Sequence, residues 1–409
     1  MFLSAVTRRN PALVDASVQL HRSGAIPANC YVVDLDGVQA NARKIGEAAA
    51  RHRLDPLQMT KQFGRNPAVA RAIAAAGIRR AVAVDIEEAH TLHESGIRIG
   101  HLGHLVQIPS GELDAAVAEI KPEQITVMTI EQAQRVAAAA ARNHCTQRLL
   151  LRVRGDHDFQ FAGQRGGVPL AELLTATDRI DALDGVTVGG VTSFPCLLWD
   201  DVARRLTPTA NLATLSKARE MLTRSGRREL TYNAPGANCI AAMSLLADAG
   251  ATQIEPGSAL IGATPLHAAT DQPEVPAMVY ITEVSHSVGA TTYVLGGGFY
   301  ARSRLEAALV FTSSGTVGAR AELGPAGEID YYGSLTMPAG TTAQAGDTVV
   351  YSFRSQVFVT RAAVAVVEDL AAGGRLVGIY DAYGRLWRRR DDDIPRPAHG
   401  TATQRSHEN

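Results

Sequence analysis

The sequence predicts an α/β protein, an N-terminal TIM-type (β/α)8 barrel followed by a C-terminal β-rich domain. Three observations carry that expectation. At 409 residues the chain is too long for one ordinary core. Short β-rich runs alternate with Ala-rich helical stretches over about 200 residues, the size of such a barrel. After Pro265 the texture changes to strand-like runs separated by turns, with few amphipathic helices.

The barrel strands are read at PLQMT (56–60), RAVAV (80–84), IGHLGHLV (99–106), QITVM (124–128), RLLLRV (148–153), VTVGGV (186–191), ELTYN (229–233) and TQIE (252–255). Helices are read between them at 66–77, 87–96 and 130–143, among others. A doubly wound open sheet is the structural rival. Residues 1–28 read as a polar lead-in with one short helix around Pro11 to Ser23, and 29–268 as the barrel. Residues 269–387 read as the β domain, entered through a linker at 266–276 and joined by the run CYVVDLD (30–36). The polar end, 388–409, is expected to be disordered.

Composition narrows the function. Forty basic residues against 41 acidic ones give a formal net charge of -1, which points to neither nucleic acid nor an anionic membrane. No apolar stretch is long enough for a bilayer, and the first residues lack a secretory pattern. Cys30, Cys145, Cys196 and Cys239 have neither metal-ligand nor disulfide spacing, so no metal is expected and a cytoplasmic location fits best.

In such a barrel the active site lies at the C-terminal ends of the strands. The residues delivered there are Lys61, Asp85, His101 and His104, Arg152 and Arg154, Thr192 and Ser193, Tyr232 and Asn233, then Glu255 and Gly257. Lys61, in QMTKQFGRNP, stands out. A lysine at the mouth of an apolar strand can be desolvated, which lowers its pKa and frees the amine to attack a carbonyl. The plain alternative is a surface lysine that caps a strand.

YVVDLDGVQANARKI ahead of a strand ending in lysine resembles the alanine racemase group of fold-type III pyridoxal-phosphate (PLP) enzymes. MTKQFGRNP, TSFPC, EPGSALIGATP and GGGFY resemble its YhfX-like branch, and the likeness runs over about residues 28–385. The resemblance implies PLP as cofactor, Lys61 as its Schiff-base lysine and a homodimer acting on amino acids. It places Asn238, Cys239, Gly257 and Ser258 at the cofactor's phosphate. Cys239 stands where the family has Ser, so only its backbone N–H is expected to serve there. An ordinary helix start is the alternative for PGSALIG.

Arg165 resembles the arginine near the cofactor's phenolic oxygen, against the alternative of a solvated loop residue. Ser193 replaces a histidine that packs on the cofactor ring. Cys196 reads as an acid-base group or, more plainly, as a buried thiol. Tyr380 matches a tyrosine near the phosphate. Glu255 departs from the arginine of alanine racemases, and a carboxylate there keeps the pyridine nitrogen protonated and strengthens the electron sink.

Tyr300, supplied by the partner chain, is the expected second base, with His286 as the reserve candidate. Its alternative is a sheet-face aromatic after a hairpin. The expected function is a PLP-dependent amino-acid racemase or epimerase acting at the α-carbon. A decarboxylase or lyase on the same scaffold is the runner-up. A non-catalytic PLP-handling protein is the third reading.

Overall fold

The computed structural model describes residues 1–325 and 327–389. The N-terminal body is a parallel barrel. Its strands run in the order Asp55–Pro56, Gln253–Ile254, Thr231–Asn233, Val186–Thr192, Gln147–Arg154, Gln124–Val127, Arg98–Leu102, Arg80–Val82 and Gln58–Met59. The first and last of these are two halves of one strand, interrupted at Leu57. One half pairs with Gln253–Ile254 and the other with Arg80–Val82, which closes the (β/α)8 ring. Each expected strand is present, several shortened at an end. The third stops at Leu102, so His104 lies beyond it on the mouth loop.

The alternation of the strands decides what faces what. On Gln147–Arg154, Leu149, Leu151 and Val153 join the core beneath the surrounding helices. The other parity includes Leu150 and Arg152, and Arg152 is buried near the mouth. The helices start where polar caps stand. Asn66 accepts from the N–H groups of Ala68 and Val69 ahead of Pro67, Asp85 from Glu88, and Thr129 from Gln132. The strands therefore end on a layer of polar side chains directed at the mouth.

The C-terminal domain is antiparallel. Met278–Val288, Thr291–Leu295, Tyr332–Thr336, Gly315–Glu322, Ala307–Thr312 and Thr348–Tyr351 pair in a ring that returns to Met278–Val288. Cys30–Asp34 extends this sheet as expected. It lies antiparallel to Met278–Val288 and parallel to Ala363–Glu368. Arg375–Tyr380 and Leu386–Arg389 complete the sheet. The expected disordered tail began at 388, but Arg388 and Arg389 belong to the strand Leu386–Arg389, and the rest of it lies outside the described residues.

Two expectations need correction. The lead-in holds two helices, Phe2–Arg9 and Pro11–Arg22, rather than one. Leu3, Val6, Leu13, Val14 and Val18 form a core with Val32, Val279, Ile281 and Val350 of the β domain. A pattern that looked polar along the sequence is thus amphipathic. The linker is also packed, with helix Pro265–Ala269 and a buried Glu274 that accepts from the Ile240 N–H at 2.9 Å. Among the described residues no helix is long and apolar enough to cross a membrane.

Leu13 is fully buried. Leu13→Ala should cost about 2–5 kcal/mol through lost burial and a cavity. It should lower the urea midpoint of unfolding while leaving the far-ultraviolet dichroism of the folded chain intact. A midpoint equal to that of the parent would mean that this helix is not packed on the sheet.

Candidate active site

A cavity of about 800 Å³ opens at the C-terminal end of the barrel, between the strand ends and the β domain. Lys61 reaches it from the first strand through a single tight turn, Lys61–Phe63. Gly64 ends that turn with φ +70, and a Cβ there would meet Val357 Cγ1 at 2.9 Å. Glycine is therefore required both for the left-handed conformation and for the close approach of the β domain.

Lys61 is one of only four lysines, with Lys44, Lys121 and Lys217. Burial lowers its pKa to about 8; Glu88 and Glu255 oppose the shift, and Arg354 adds to it. Glu88 is itself buried, and it accepts from the Thr60 hydroxyl and the Val84 N–H.

Glu255 lies at the end of the eighth strand, with its side chain 2% exposed. His101 Nδ1 is 2.7 Å from its Oε1, and Asn233 Nδ2 donates to the same oxygen at 3.0 Å. The other nitrogen of His101, Nε2, meets the Thr126 hydroxyl, which holds the ring with Nδ1 toward the carboxylate. The Thr192 hydroxyl donates to Asn233 Oδ1 at 2.7 Å and fixes that amide. Burial alone would raise the Glu255 carboxyl, but His104, His101 and Asn233 outweigh it and hold it at about 2. Oε2 is buried at the cavity with no hydrogen-bond partner. An ionised carboxylate with one satisfied oxygen and one free oxygen suits a ligand that brings an N–H.

His104 lies beside it, 1% exposed, with both ring nitrogens unpartnered. Its ring stands edge-on to Phe194 at 5.3 Å. Burial pushes its pKa down to about 3, so it is a neutral imidazole at the cavity wall. The β domain closes the other side with Tyr300, Arg302, Arg304 and Arg354. The Arg354 guanidinium lies 6.0 Å from the centroid of the Tyr300 ring.

With this geometry in view, the comparisons identify the family. An alanine racemase N-terminal domain matches residues 33–265, and a YhfX-like C-terminal domain matches residues 279–377. The uncharacterized protein YhfX of Escherichia coli K12 is 39% identical over 387 residues, covering 94% of this chain and 99% of that protein. The chain belongs to the alanine racemase family, in its YhfX-like branch.

Solved structures share the fold. D-threonine aldolase from Filomicrobium marinum aligns with a TM-score of 0.60 at 16% identity, over 88% of this chain and 96% of that one. An alanine racemase of Clostridium difficile 630 aligns with a TM-score of 0.60 at 14% identity, over 87% and 99%. D-threo-3-hydroxyaspartate dehydratase from Delftia sp. HT23 aligns with a TM-score of 0.59 at 17% identity, over 86% and 96%. The family fold implies PLP, and the residues present fit it. The free Glu255 oxygen suits a protonated pyridine nitrogen. Gly257 also lies close-packed at the cavity, where a Cβ would meet the Gln62 amide at 2.5 Å.

The YhfX-like chain brings Lys61, Asn238, Glu255, Gly257, Ser258 and Tyr300 to this one cavity. Asn238 accepts from the Glu255 N–H at 2.8 Å and donates to the Ala234 carbonyl at 3.0 Å, which locks the two mouth loops together. Four residues expected at the cofactor, Arg165, Ser193, Cys239 and Tyr380, do not line the cavity. Arg165 is exposed, and its neighbour Gln164 lines the wall instead. Ser193 is buried behind the wall beside Asn211, and Phe194 takes the lining position.

The Cys239 thiol is buried, and burial raises its pKa to about 12. Tyr380 is buried in the β domain sheet opposite Val364. Cys196 is fully buried and donates to the Ser193 carbonyl at 3.1 Å, in line with the plainer reading of that thiol. His286 is exposed and stacked on Tyr293, away from the cavity lining. Tyr300 of the same chain lines the cavity, although the resemblance implied a partner's tyrosine. The turn 300–304 folds back over its own barrel mouth, where Arg304 pairs with Asp201.

Sequence reasoning missed Arg354 and gave no role to His104. Arg354 sits in SFRSQ on the β domain, where no strand-end rule applies. The spacing HLGH did put His101 and His104 at the right strand, but nothing in it distinguished a carboxylate partner from a filler.

The lowered pKa of Lys61 gives a direct test in the unloaded chain. Below its pKa the amine is protonated and unreactive, and above it the amine is free. Acetic anhydride labelling of Lys61, followed by peptide mass spectrometry, should rise with a midpoint near pH 8. An unperturbed lysine would instead be labelled with a midpoint of about 10.4. A Lys61 midpoint at the ordinary value would show that the amine is not desolvated.

Proposed function

We propose that the chain is a PLP-dependent amino-acid racemase or epimerase that works at the α-carbon, with Lys61 carrying the cofactor. The observation that carries this reading is the meeting, at one cavity, of a desolvated amine, a tyrosine and a buried carboxylate with one free oxygen. PLP, when bound, supplies an electron sink for negative charge on the carbon next to the substrate amine. Glu255 would hold the proton on the ring nitrogen, and Asn238, Gly257 and Ser258 would receive the phosphate. The Lys61 amine would remove or return the α-proton on its side of the cavity. Tyr300, oriented by Arg354, is the candidate for proton transfer on the other face. The β domain shields the reacting carbon from water.

A decarboxylase or lyase is the second reading. Glu255 favours it specifically, because a protonated ring nitrogen serves any reaction that leaves charge on that carbon. The aldolase and dehydratase among the structural neighbours share the fold alone. A non-catalytic PLP-handling role fits less well. Such a role gives the β domain no reason to bring Tyr300, Arg302 and Arg354 to the cavity.

Borohydride reduction of the loaded chain should fix PLP on Lys61 out of the four lysines, and Lys61→Ala should lose the link. In deuterated water the loaded enzyme should exchange the α-proton of its amino acid without releasing CO₂ or cleaving the side chain. Loss of CO₂ or of a side-chain fragment would select the second reading, and cofactor attached elsewhere would overturn the first. Glu255→Arg should retain PLP and slow exchange about 10²-fold, the effect of roughly 3 kcal/mol of lost charge stabilisation.

The same-chain position of Tyr300 makes a separate prediction. The homodimer implied by the family resemblance gives two ways to share a site, and mixing distinguishes them. Lys61→Ala chains mixed with Tyr300→Phe chains, after verified subunit exchange, should remain inactive, because each site then lacks one group. Recovery toward about one quarter of wild-type activity, the ceiling for random mixing when each site draws one group from each chain, would show that Tyr300 serves the partner's cavity.

A further inference from the structure

We propose that Arg302 and Arg354 form a subsite for a second anionic group of the substrate, so that the amino acid taken here carries a side-chain carboxylate or phosphate in addition to its α-carboxylate. The proposal rests on the reading of the chain as a PLP enzyme acting on amino acids.

The case begins with an imbalance of charge. Three guanidinium groups from the β domain, Arg302, Arg304 and Arg354, line the same cavity as Lys61. They lie close enough to act on one another. Burial is the main influence lowering the Arg354 pKa, and Arg302 and Arg304 lower it further. Arg354 in turn disfavours the charged form of Lys61.

Like charges gathered at a partly enclosed site repel; water screens the exposed Arg302, but an anion offsets the repulsion at the more buried Arg354 far better than solvent does. The chain provides few such anions. Asp201 pairs with Arg304 through both oxygens. Glu255 is committed to His101 and Asn233. Among the described residues no carboxylate forms an ion pair with Arg302 or Arg354.

What holds these two arginines is aromatic. Arg302 lies over Phe161 at 5.0 Å, and Arg354 lies over Tyr300 at 6.0 Å. A ring face fixes the plane of a guanidinium but leaves its N–H edge without an anion. Each such edge matches one carboxylate or phosphate in a two-point contact. Arg354, beside Lys61 and Tyr300, is placed for the α-carboxylate. Arg302, nearer solvent, is placed for the second anion. A neutral amino acid would satisfy only one of them.

The test uses the loaded enzyme and compares α-proton exchange in deuterated water for aspartate, glutamate and phosphoserine with that for alanine and norvaline. At least one acidic substrate should exceed the neutral ones by about tenfold or more in kcat/KM, the worth of one charge-assisted contact. Arg302→Gln should collapse that ratio toward one, chiefly through KM. Carboxylate and phosphate side chains are separate arms, and the faster arm names the source of the anion. Neutral substrates that exchange as well as every acidic one would overturn the proposal.

A second measurement does not depend on turnover. Succinate should raise the melting temperature of the loaded enzyme more than butyrate does, and Arg302→Gln should abolish the difference. Equal effects of the two acids on the parent enzyme would overturn the subsite. If no amino acid exchanges but the succinate preference appears and requires Arg302, the subsite stands and the racemase reading falls. Tenfold weaker PLP binding in both Arg302→Gln and Arg354→Gln, with the succinate preference intact, would assign these cations to the cofactor's phosphate and overturn the proposal.

Discussion

The structure depends most on one buried carboxylate. Placing Glu255 in the closed mouth of a barrel removes it from water, at a cost that only hydrogen bonds and nearby positive charge offset. The neighbouring strands answer that demand in turn. His101 comes from the third strand, braced by Thr126 of the fourth, and Asn233 comes from the seventh, braced by Thr192 of the sixth. Asn238 then ties the loop after the seventh strand to the Glu255 backbone. Many of the polar ends that interrupt otherwise apolar strands are thus parts of one network. Its member without a hydrogen-bond partner is one oxygen of Glu255, a residue that lines the cavity.

The same burial sets the behaviour of Lys61. An amine close to a carboxylate would ordinarily hold its proton more firmly. Here desolvation dominates over Glu88 and Glu255, and Arg354 acts in the same direction as burial. The β domain therefore contributes to the chemistry of the barrel as well as covering it. Its contact with the lysine turn explains the glycine at 64, where any side chain would separate Val357 from the mouth. Assembly of the two domains and tuning of the amine are one event.

The barrel was readable because its signals are local. Apolar runs of strand length, capped helices and the change of texture after Pro265 each reflect physics that acts within about ten residues. The two N-terminal helices were harder to read. Their apolar residues are spaced around a helix that packs on a distant sheet, and isolated polar neighbours such as Arg8, Arg9 and Asn10 masked the stripe. Lys61 and Glu255 were legible as strand-end residues, and the structure brings both to the cavity. Arg354 was not, because only the fold of the second domain carries it there.

Family resemblance located the walls of the site better than the atoms on them. At Ser193, where the resemblance implies an imidazole, Phe194 lines the cavity and the nearby His104 supplies a neutral ring from the loop after the third strand. Arg165 is exposed while Gln164, one residue earlier at the end of the turn Ala162–Gln164, lines the cavity. Cys239 keeps its place at the start of a short helix, but its thiol packs into the core. In each case a residue other than the expected one lines the cavity, or the expected side chain is buried away from it. A sequence motif specifies a path. Which side chain meets the ligand depends on half-turns and strand parity, and those are fixed only when the whole mouth is packed.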